Sequence, residues 1–184
     1  LVRSRGLGDV YKRQTLDTAR AIAASDIGVR HVIFNDFSTP ETKASLEENK
    51  SGIGYELIHL EDLTDHPSPN YKLVLQKAQK MALDAGMPLL VVESDVVIKQ
   101  DTISRLLEDS GKKSRAGLVG SVTVDEAGVV NFPYLKFKGV KEPVITTHRS
   151  LSFCCTLFSL DFLKSYDFAG LDEAKDWYDT FISK

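Results

Sequence analysis

The alternation of helical and strand-like segments is the sequence feature that most restricts the fold. Between residues 15 and 124, four segments with helical periodicity alternate with four short apolar runs, in the order helix then strand. The apolar runs cover residues 30–34, 55–60, 89–98 and 116–124. This alternation predicts an α/β domain with a mostly parallel, Rossmann-like sheet and helices on both faces.

Capping residues predict where several of these elements begin and end. Thr39 followed by Pro40 is typical of a helix start, Asn70 and Asp101 are candidate caps, and Gly86 predicts a helix end. After the fourth run we expect a return strand over residues 129–135, a buried strand or packed segment over 151–160, and short helices beyond.

The first fourteen residues, LVRSRGLGDVYKRQ, resemble a translated sequencing-library adapter. A natural basic arm is the alternative. We exclude residues 1–14 from the fold and treat residues 15–184 as one domain, truncated at both ends. The first strand of a doubly wound sheet usually lies near its centre, so we expect that strand to be missing here.

Composition and charge exclude some classes of function. The apolar runs are far shorter than the roughly 18 residues of a membrane-spanning helix. The net charge is −3 over the whole chain, and −6 without residues 1–14, with 19 basic and 25 acidic residues remaining. We therefore expect no nucleic-acid partner and no membrane segment.

Single cysteine and histidine residues carry little signal for a metal site. Cys154 and Cys155 lie in an apolar run and predict buried thiols in a reducing, cytoplasmic compartment. The four histidines are dispersed, without the spacing of a metal site, and we expect each on the surface or in a loop.

The run LLVVESDVVI places two carboxylates inside the most strand-like segment of the chain. If the strand ends near Glu93, then Glu93 and Asp95 both reach the carboxyl edge of the sheet, where open α/β sheets bind ligands. Two neighbouring carboxylates repel each other unless a cation lies between them, and carboxylate oxygens suit Mg²⁺ or Mn²⁺. The alternative is a strand end with solvated acids.

A second polar group follows the first apolar run, in the segment VIFNDFSTPET. Asn35 and Asp36 would lie at the same sheet edge as the acid pair, and Asp36 could hydrogen-bond a ribose hydroxyl or a base. The alternative is a helix-entry loop in which these side chains only satisfy backbone donors.

Together, VIFNDFSTPET, SPNYKLVLQKAQKMAL, VVESDVVI and DEAKDWYDTFIS resemble the family 2 glycosyltransferases, which have the GT-A nucleotide-sugar fold. Asn35 and Phe37 stand where that family usually has Asp and Gly, Glu93 stands for the first Asp of its DxD metal motif, and Lys175 stands for the Glu of its late acidic pair. The resemblance covers roughly residues 15–184.

The resemblance implies a metal-dependent, inverting transfer of a sugar from a nucleotide-diphosphate sugar to a saccharide or other acceptor hydroxyl. It implies that Glu93 and Asp95 hold Mn²⁺ or Mg²⁺ and that Asp176 deprotonates the acceptor. Asp179, three residues further on, is a less favoured base, and a solvated acidic stripe near a helix N-terminus is the alternative for this segment. It also implies a set of nucleotide-binding residues: Asn35, Asp36, Ser38 and Asn70.

Two other functions stay open from the sequence. The departures from the family motifs allow a non-catalytic module of the same fold that only binds nucleotides. A receiver-like signalling domain also places acids at strand ends, but it should end after about 120 residues, whereas strand-like and aromatic segments continue here to the end of the chain.

Overall fold

A six-stranded sheet forms the centre of the computed structural model, which describes residues 2–5, 8–112, 116–172 and 178–182. The strand order is β3-β2-β1-β4-β6-β5. β1 pairs in parallel with β2 and β4, and β2 with β3, whereas β6 runs antiparallel to β4 and β5. The strands are β1 (Val2–Arg5), β2 (Val32–Asp36), β3 (Glu56–His59), β4 (Leu89–Glu93), β5 (Leu118–Gly120) and β6 (Cys155–Phe158).

Helices connect the strands, and local capping signals set the ends of two of them. The Thr39 side chain accepts a hydrogen bond from the Thr42 amide, and Pro40 begins α2; Gly86, at φ 64°, ends α3. None of the helices in the described ranges is long and apolar enough to span a bilayer. The helices are α1 (Gly8–Ala23), α2 (Pro40–Ile53), α3 (Tyr71–Ala85), α4 (Thr102–Lys112), α5 (Leu160–Ser165) and α6 (Tyr178–Ile182).

Apolar side chains pack on both faces of the sheet, which confirms the predicted helix–sheet–helix layering. Ile33 and Val92 face a core built with α1, α2 and α4. Their neighbours Phe34 and Val91 face the opposite side, where α3 packs. A strand covered on both faces must be apolar at successive positions, and this explains the continuous apolar runs of the sequence.

The centre of the sheet differs from the sequence expectation. Val2–Arg5 forms β1 between β2 and β4, in the position where we expected a missing strand, and α1 begins at Gly8 rather than near Thr15. Parallel pairing uses backbone N–H and C=O groups, so this central position selects an extended segment more than a particular sequence. The adapter origin of residues 1–14 stays a prediction.

The segment after β5 also differs from expectation. β5 covers only Leu118–Gly120, and the predicted return strand over residues 129–135 is reduced to a single bridge between Val124 and Val130. β6, rather than the return segment, pairs antiparallel with β5, and β5 is the edge strand of the sheet. Pro133 lacks the N–H that a ladder position there would need.

His31 is buried beneath the sheet, contrary to the expected surface position. It is 5% exposed and packs against the Tyr55 ring, with 5.6 Å between ring centroids. Neither ring nitrogen has a hydrogen-bond partner within the described part of the chain. Burial therefore lowers the pKa of His31 to about 4.

We expect His31 to make the protein less stable in acid. The unfolded imidazole takes up its proton near pH 6.5 and the folded one only near pH 4, so stability is full above about pH 6.5 and falls toward pH 4. His31 alone should lower the free energy of unfolding by about 2 kcal/mol between pH 7 and pH 5.

Urea denaturation at both pH values measures this effect. His31→Leu should lose this part of the pH dependence, whereas the exposed control His66→Leu should keep it. An unchanged pH dependence in His31→Leu would refute the assignment.

Candidate active site

The acid pair lies at the carboxyl end of β4. The strand ends at Glu93, as predicted, and Ser94 and Asp95 form the turn that follows it. The Glu93 amide donates to the Cys154 carbonyl (2.9 Å), and the Thr18 hydroxyl donates to the Ser94 carbonyl (3.0 Å). The end of β4 and its turn are therefore held by the residue before β6 on one side and by α1 on the other. Because Asp95 lies beyond the strand, side-chain alternation does not set its direction.

Glu93 and Asp95 nevertheless face one open cleft, with a volume of about 2100 Å³. Tyr71 at the start of α3 and both Tyr178 and Asp179 of α6 also line it. The rings of Tyr71 and Tyr178 pack with 6.0 Å between centroids. The C-terminal helix thus folds back over the carboxyl edge of the sheet, and its Asp179 carboxylate joins the same cleft as the acid pair.

Cys154 lies beside the acid pair, and no pattern in the sequence predicts this contact. The thiol is 8% exposed and lies 3.0 Å from the Ser152 hydroxyl. Burial raises the pKa of the Cys154 thiol to about 12, and the negative charges of Glu93 and Asp95 act in the same direction. Both cysteines are free and buried, as predicted, and Cys154 stays a neutral thiol at physiological pH.

The acid pair fits a divalent cation of the magnesium type. Mg²⁺ commonly takes only one or two protein carboxylates and completes its shell with water and substrate phosphates. Glu93 and Asp95 supply two such carboxylates on one wall of the cleft. Within the described ranges, no set of three or more His, Cys, Asp or Glu side chains could hold a metal by itself. The protein ligands present therefore suit a metal shared with a phosphate ligand.

Asp36, at the carboxyl end of β2, is 1% exposed, and its carboxylate is engaged by the loop that precedes α3. It accepts hydrogen bonds from the Ser68 hydroxyl (2.9 Å), the Asn70 backbone amide (2.9 Å) and the Asn70 side-chain amide (2.8 Å). The Asn70 side chain makes no cap hydrogen bond to α3, contrary to the predicted capping role. Asp36 and Asn70 thus hold the loop in place.

Asn35 and Ser38, by contrast, have open hydrogen-bonding capacity. The Asn35 side-chain oxygen and the Ser38 hydroxyl are buried atoms that find no partner in residues 2–5, 8–112, 116–172 and 178–182. Buried polar atoms without a partner are rare, and each calls for an explanation such as a ligand or ordered water. Both atoms belong to residues that the sequence predicts at the nucleotide.

Phe37 explains why the related motif usually has glycine at its position. Its φ is 53°, in the left-handed region that costs a non-glycine residue about 1–2 kcal/mol. The sharp turn lets the chain leave β2 and enter α2 within a few residues. This chain makes the turn with a phenylalanine in the left-handed region.

The structure joins the predicted residues into two groups. Glu93 and Asp95 line the cleft, whereas Asn35, Asp36, Ser38 and Asn70 lie at the end of β2 and do not line it, although Pro69 does. β1 separates β2 from β4, so the two strand ends lie about 10 Å apart. Asp176, the predicted base, lies outside the described residues.

Sequence reasoning missed His59, which contacts Asn35. His59 was expected on the surface or in a loop, but it is 8% exposed and lies directly beside Asn35 in the β2–β3 pairing. Aligning the ends of the two apolar runs in parallel register could have found this contact.

No protein-family model matches the chain, and no curated protein matches its sequence. The fold is that of the GT-A-type glycosyltransferases. S. aureus TarS matches over 99% of this chain with a TM-score of 0.65 at 15% identity, and the chain spans about half, 52%, of that structure. The mannosyltransferase PcManGT from Pyrobaculum calidifontis, in complex with GDP-Man and Mn²⁺, matches 67% of this chain and 34% of its own, with a TM-score of 0.47 at 14% identity.

Removing the Asp36 carboxylate should destabilise the protein. In Asp36→Ala, the Ser68 hydroxyl and the Asn70 amides lose a buried acceptor, which we expect to lower the free energy of unfolding by about 3 kcal/mol. Chemical denaturation measures the change. The control Asp65→Ala, at an exposed position of the same loop, should stay within about 0.5 kcal/mol of wild type. Equal stabilities of the two variants would contradict the structural role of Asp36.

Proposed function

We propose that the protein transfers a sugar from a nucleotide-diphosphate sugar to an acceptor hydroxyl, with a divalent cation, as a glycosyltransferase of the family 2 type. The observation that carries this proposal is the cleft at the carboxyl edge of a GT-A-type sheet. Glu93, Asp95 and Asp179 line this cleft together. Ligands of open α/β sheets bind at this edge.

The nucleoside end of the donor would lie at the end of β2. Asn35 offers an acceptor oxygen and Ser38 a hydroxyl that both lack partners among the described residues. Asp36 and Asn70 act there by shaping the loop, since their polar groups bond to each other. The diphosphate would then extend across β1 toward Glu93 and Asp95, over the separation of about 10 Å between the strand ends.

Glu93 and Asp95 would hold the cation, Mn²⁺ or Mg²⁺, together with the donor diphosphate. The bound cation supplies charge neutralisation for the departing diphosphate. The two carboxylates bring negative charge to a site that must accept an anionic donor, so cation binding and nucleotide binding should depend on each other.

A base from the C-terminal acidic segment would accept the proton of the acceptor hydroxyl. We propose Asp176 for this role, in line with the late acidic pair of family 2 enzymes, and direct attack of the acceptor with inversion at the anomeric carbon. Asp179, which lines the cleft, is the alternative base on the same segment.

The other two candidate functions make different demands. A receiver-like domain should end after about 120 residues, whereas β6, at Cys155–Phe158, lies within the sheet between β4 and β5. A non-catalytic module would bind nucleotide without turnover.

Buried free thiols suit the reducing cytoplasm, which we propose as the site of action.

Mn²⁺-dependent nucleotide binding should run through Asp95. We expect Asp95→Ala to abolish the gain in UDP or GDP affinity that Mn²⁺ produces, and Glu93→Ala to reduce it less. Calorimetric titration with and without Mn²⁺ measures both, with the exposed Asp65→Ala as a control that should behave as wild type. Unchanged Mn²⁺-dependent binding in Asp95→Ala would exclude this metal site.

The two candidate bases can be separated by kinetics. Asp176→Asn should lower kcat by roughly 10²–10⁴-fold while nucleotide binding survives, and Asp179→Asn should turn over nearly as wild type. The assay follows release of nucleotide diphosphate from a panel of nucleotide sugars. The opposite order would assign the base to Asp179, and nucleotide binding without any turnover by wild type would favour the non-catalytic module.

A further inference from the structure

A buried hydrogen-bonded chain links helix α2 to the end of β2. The Asn35 side-chain nitrogen lies 2.9 Å from Nδ1 of His59, and Nε2 of His59 lies 2.8 Å from the Glu47 carboxylate. Asn35 is fully buried and His59 is 8% exposed, whereas Glu47 is half exposed at the outer end of the chain. Asn35 and His59 are direct partners in the parallel pairing of β2 and β3.

The partners of the imidazole fix its tautomer. Glu47 is an acceptor, and its hydrogen bond with His59 lowers the pKa of the Glu47 carboxyl, so the carboxylate is ionised. Nε2 of His59 must then carry a proton and donate to Glu47. In the neutral imidazole this leaves Nδ1 as an acceptor, and only the nitrogen of the Asn35 amide can donate to it.

The orientation of the Asn35 amide follows from this tautomer. Its nitrogen is held by His59, so its carbonyl oxygen points away from β3, and that oxygen is the buried atom that lacks a partner in the described part of the chain. An Asp at this position would place a second carboxylate against His59. A neutral imidazole has only one N–H group and could not donate to both carboxylates. The pairing with His59 therefore accounts for Asn35 where the related motif has Asp.

We propose that His59, oriented by Glu47, is a positioning residue that turns the Asn35 carbonyl oxygen toward the donor nucleotide, where it accepts a hydrogen bond from an N–H or O–H group of the nucleoside. This assignment rests on the proposed function and deepens it. His59 does not touch the nucleotide itself and acts through the Asn35 amide.

The orientation of the Asn35 amide decides what the binding site presents to a ligand. If the contact with His59 did not hold the amide, it could rotate by half a turn and present its NH₂ group where its oxygen faces the nucleotide. The binding site would then lose an acceptor and gain a donor at the same point.

The charged groups around His59 lie on α2 and at the end of β3. Glu47 contacts the ring directly, and Lys50 lies 3.9 Å from Glu47. Glu61, just after β3, interacts electrostatically with His59 and is paired with Lys43 at 2.9 Å. One carboxylate therefore contacts the imidazole and a second interacts with it electrostatically, each with a lysine beside it, and the direct contact with Glu47 is the one that orients the ring.

Nitrogen NMR of the ¹⁵N-labelled chain tests the tautomer without any ligand. At pH 8, two-bond correlations from the ring protons should show His59 protonated at Nε2 and unprotonated at Nδ1. Glu47→Gln should weaken this preference. A His59 ring protonated at Nδ1 at pH 8 would overturn the proposal.

Nucleotide titrations at pH 8 test the consequence, with UDP and GDP in the presence of Mn²⁺. His59→Leu, which leaves the Asn35 amide free to rotate, should bind about tenfold more weakly than wild type, because one ligand donor loses its acceptor. His59→Gln, whose amide can accept from Asn35 and donate to Glu47, should restore nearly wild-type affinity.

The exposed histidine variant His66→Leu is the matched control and should bind as wild type. Equal affinities of wild type and His59→Leu, or an equal loss in His59→Leu and His59→Gln, would overturn the proposal. If neither nucleotide bound to wild type, the proposed function would be refuted, while the tautomer measurement would still decide the assignment of His59.

Discussion

The carboxylate of Asp36 connects the sheet to the cleft. Its hydrogen bonds to Ser68 and to both amides of Asn70 fix the residue at which α3 begins. Tyr71, the first residue of that helix, packs against Tyr178 of α6 and forms part of the cleft wall beside the acid pair. A buried carboxylate is stable only with such donors, so the cleft at β4 depends on hydrogen bonds made at the end of β2, two strands away.

The end of β2 separates polar groups that hold the protein together from polar groups that are open to a ligand. The Asp36 carboxylate accepts hydrogen bonds from the backbone and side-chain amides of Asn70. Asn35 and Ser38 each keep a buried atom without a partner in the described residues, and His59 fixes which atom of Asn35 is left open. Neighbouring residues of one motif therefore have different roles, which depend on the face of the strand that each side chain occupies.

Electrostatics relates the acid pair to the ligand it would bind. The chain is net negative, and the charges of Glu93 and Asp95 are strong enough at Cys154 to raise the pKa of its thiol further. An anionic donor would be repelled by such a site unless a cation were shared between the carboxylates and the diphosphate. Under the proposed function two carboxylates would suffice, because the diphosphate would supply further ligands to the cation.

Local sequence signals determined the elements of this protein, and tertiary contacts decided how they combine. The apolar runs, Pro40, Gly86 and the end of β4 at Glu93 could be read directly, because helix caps and strand burial depend on a few neighbouring residues. The central position of Val2–Arg5 could not, because its pairing with β2 and β4 uses backbone groups that many extended segments offer. The contact of Asn35 with His59 is not visible in either segment alone. It follows only once β2 and β3 are paired, and the burial of their side chains in the assembled sheet decides which register forms.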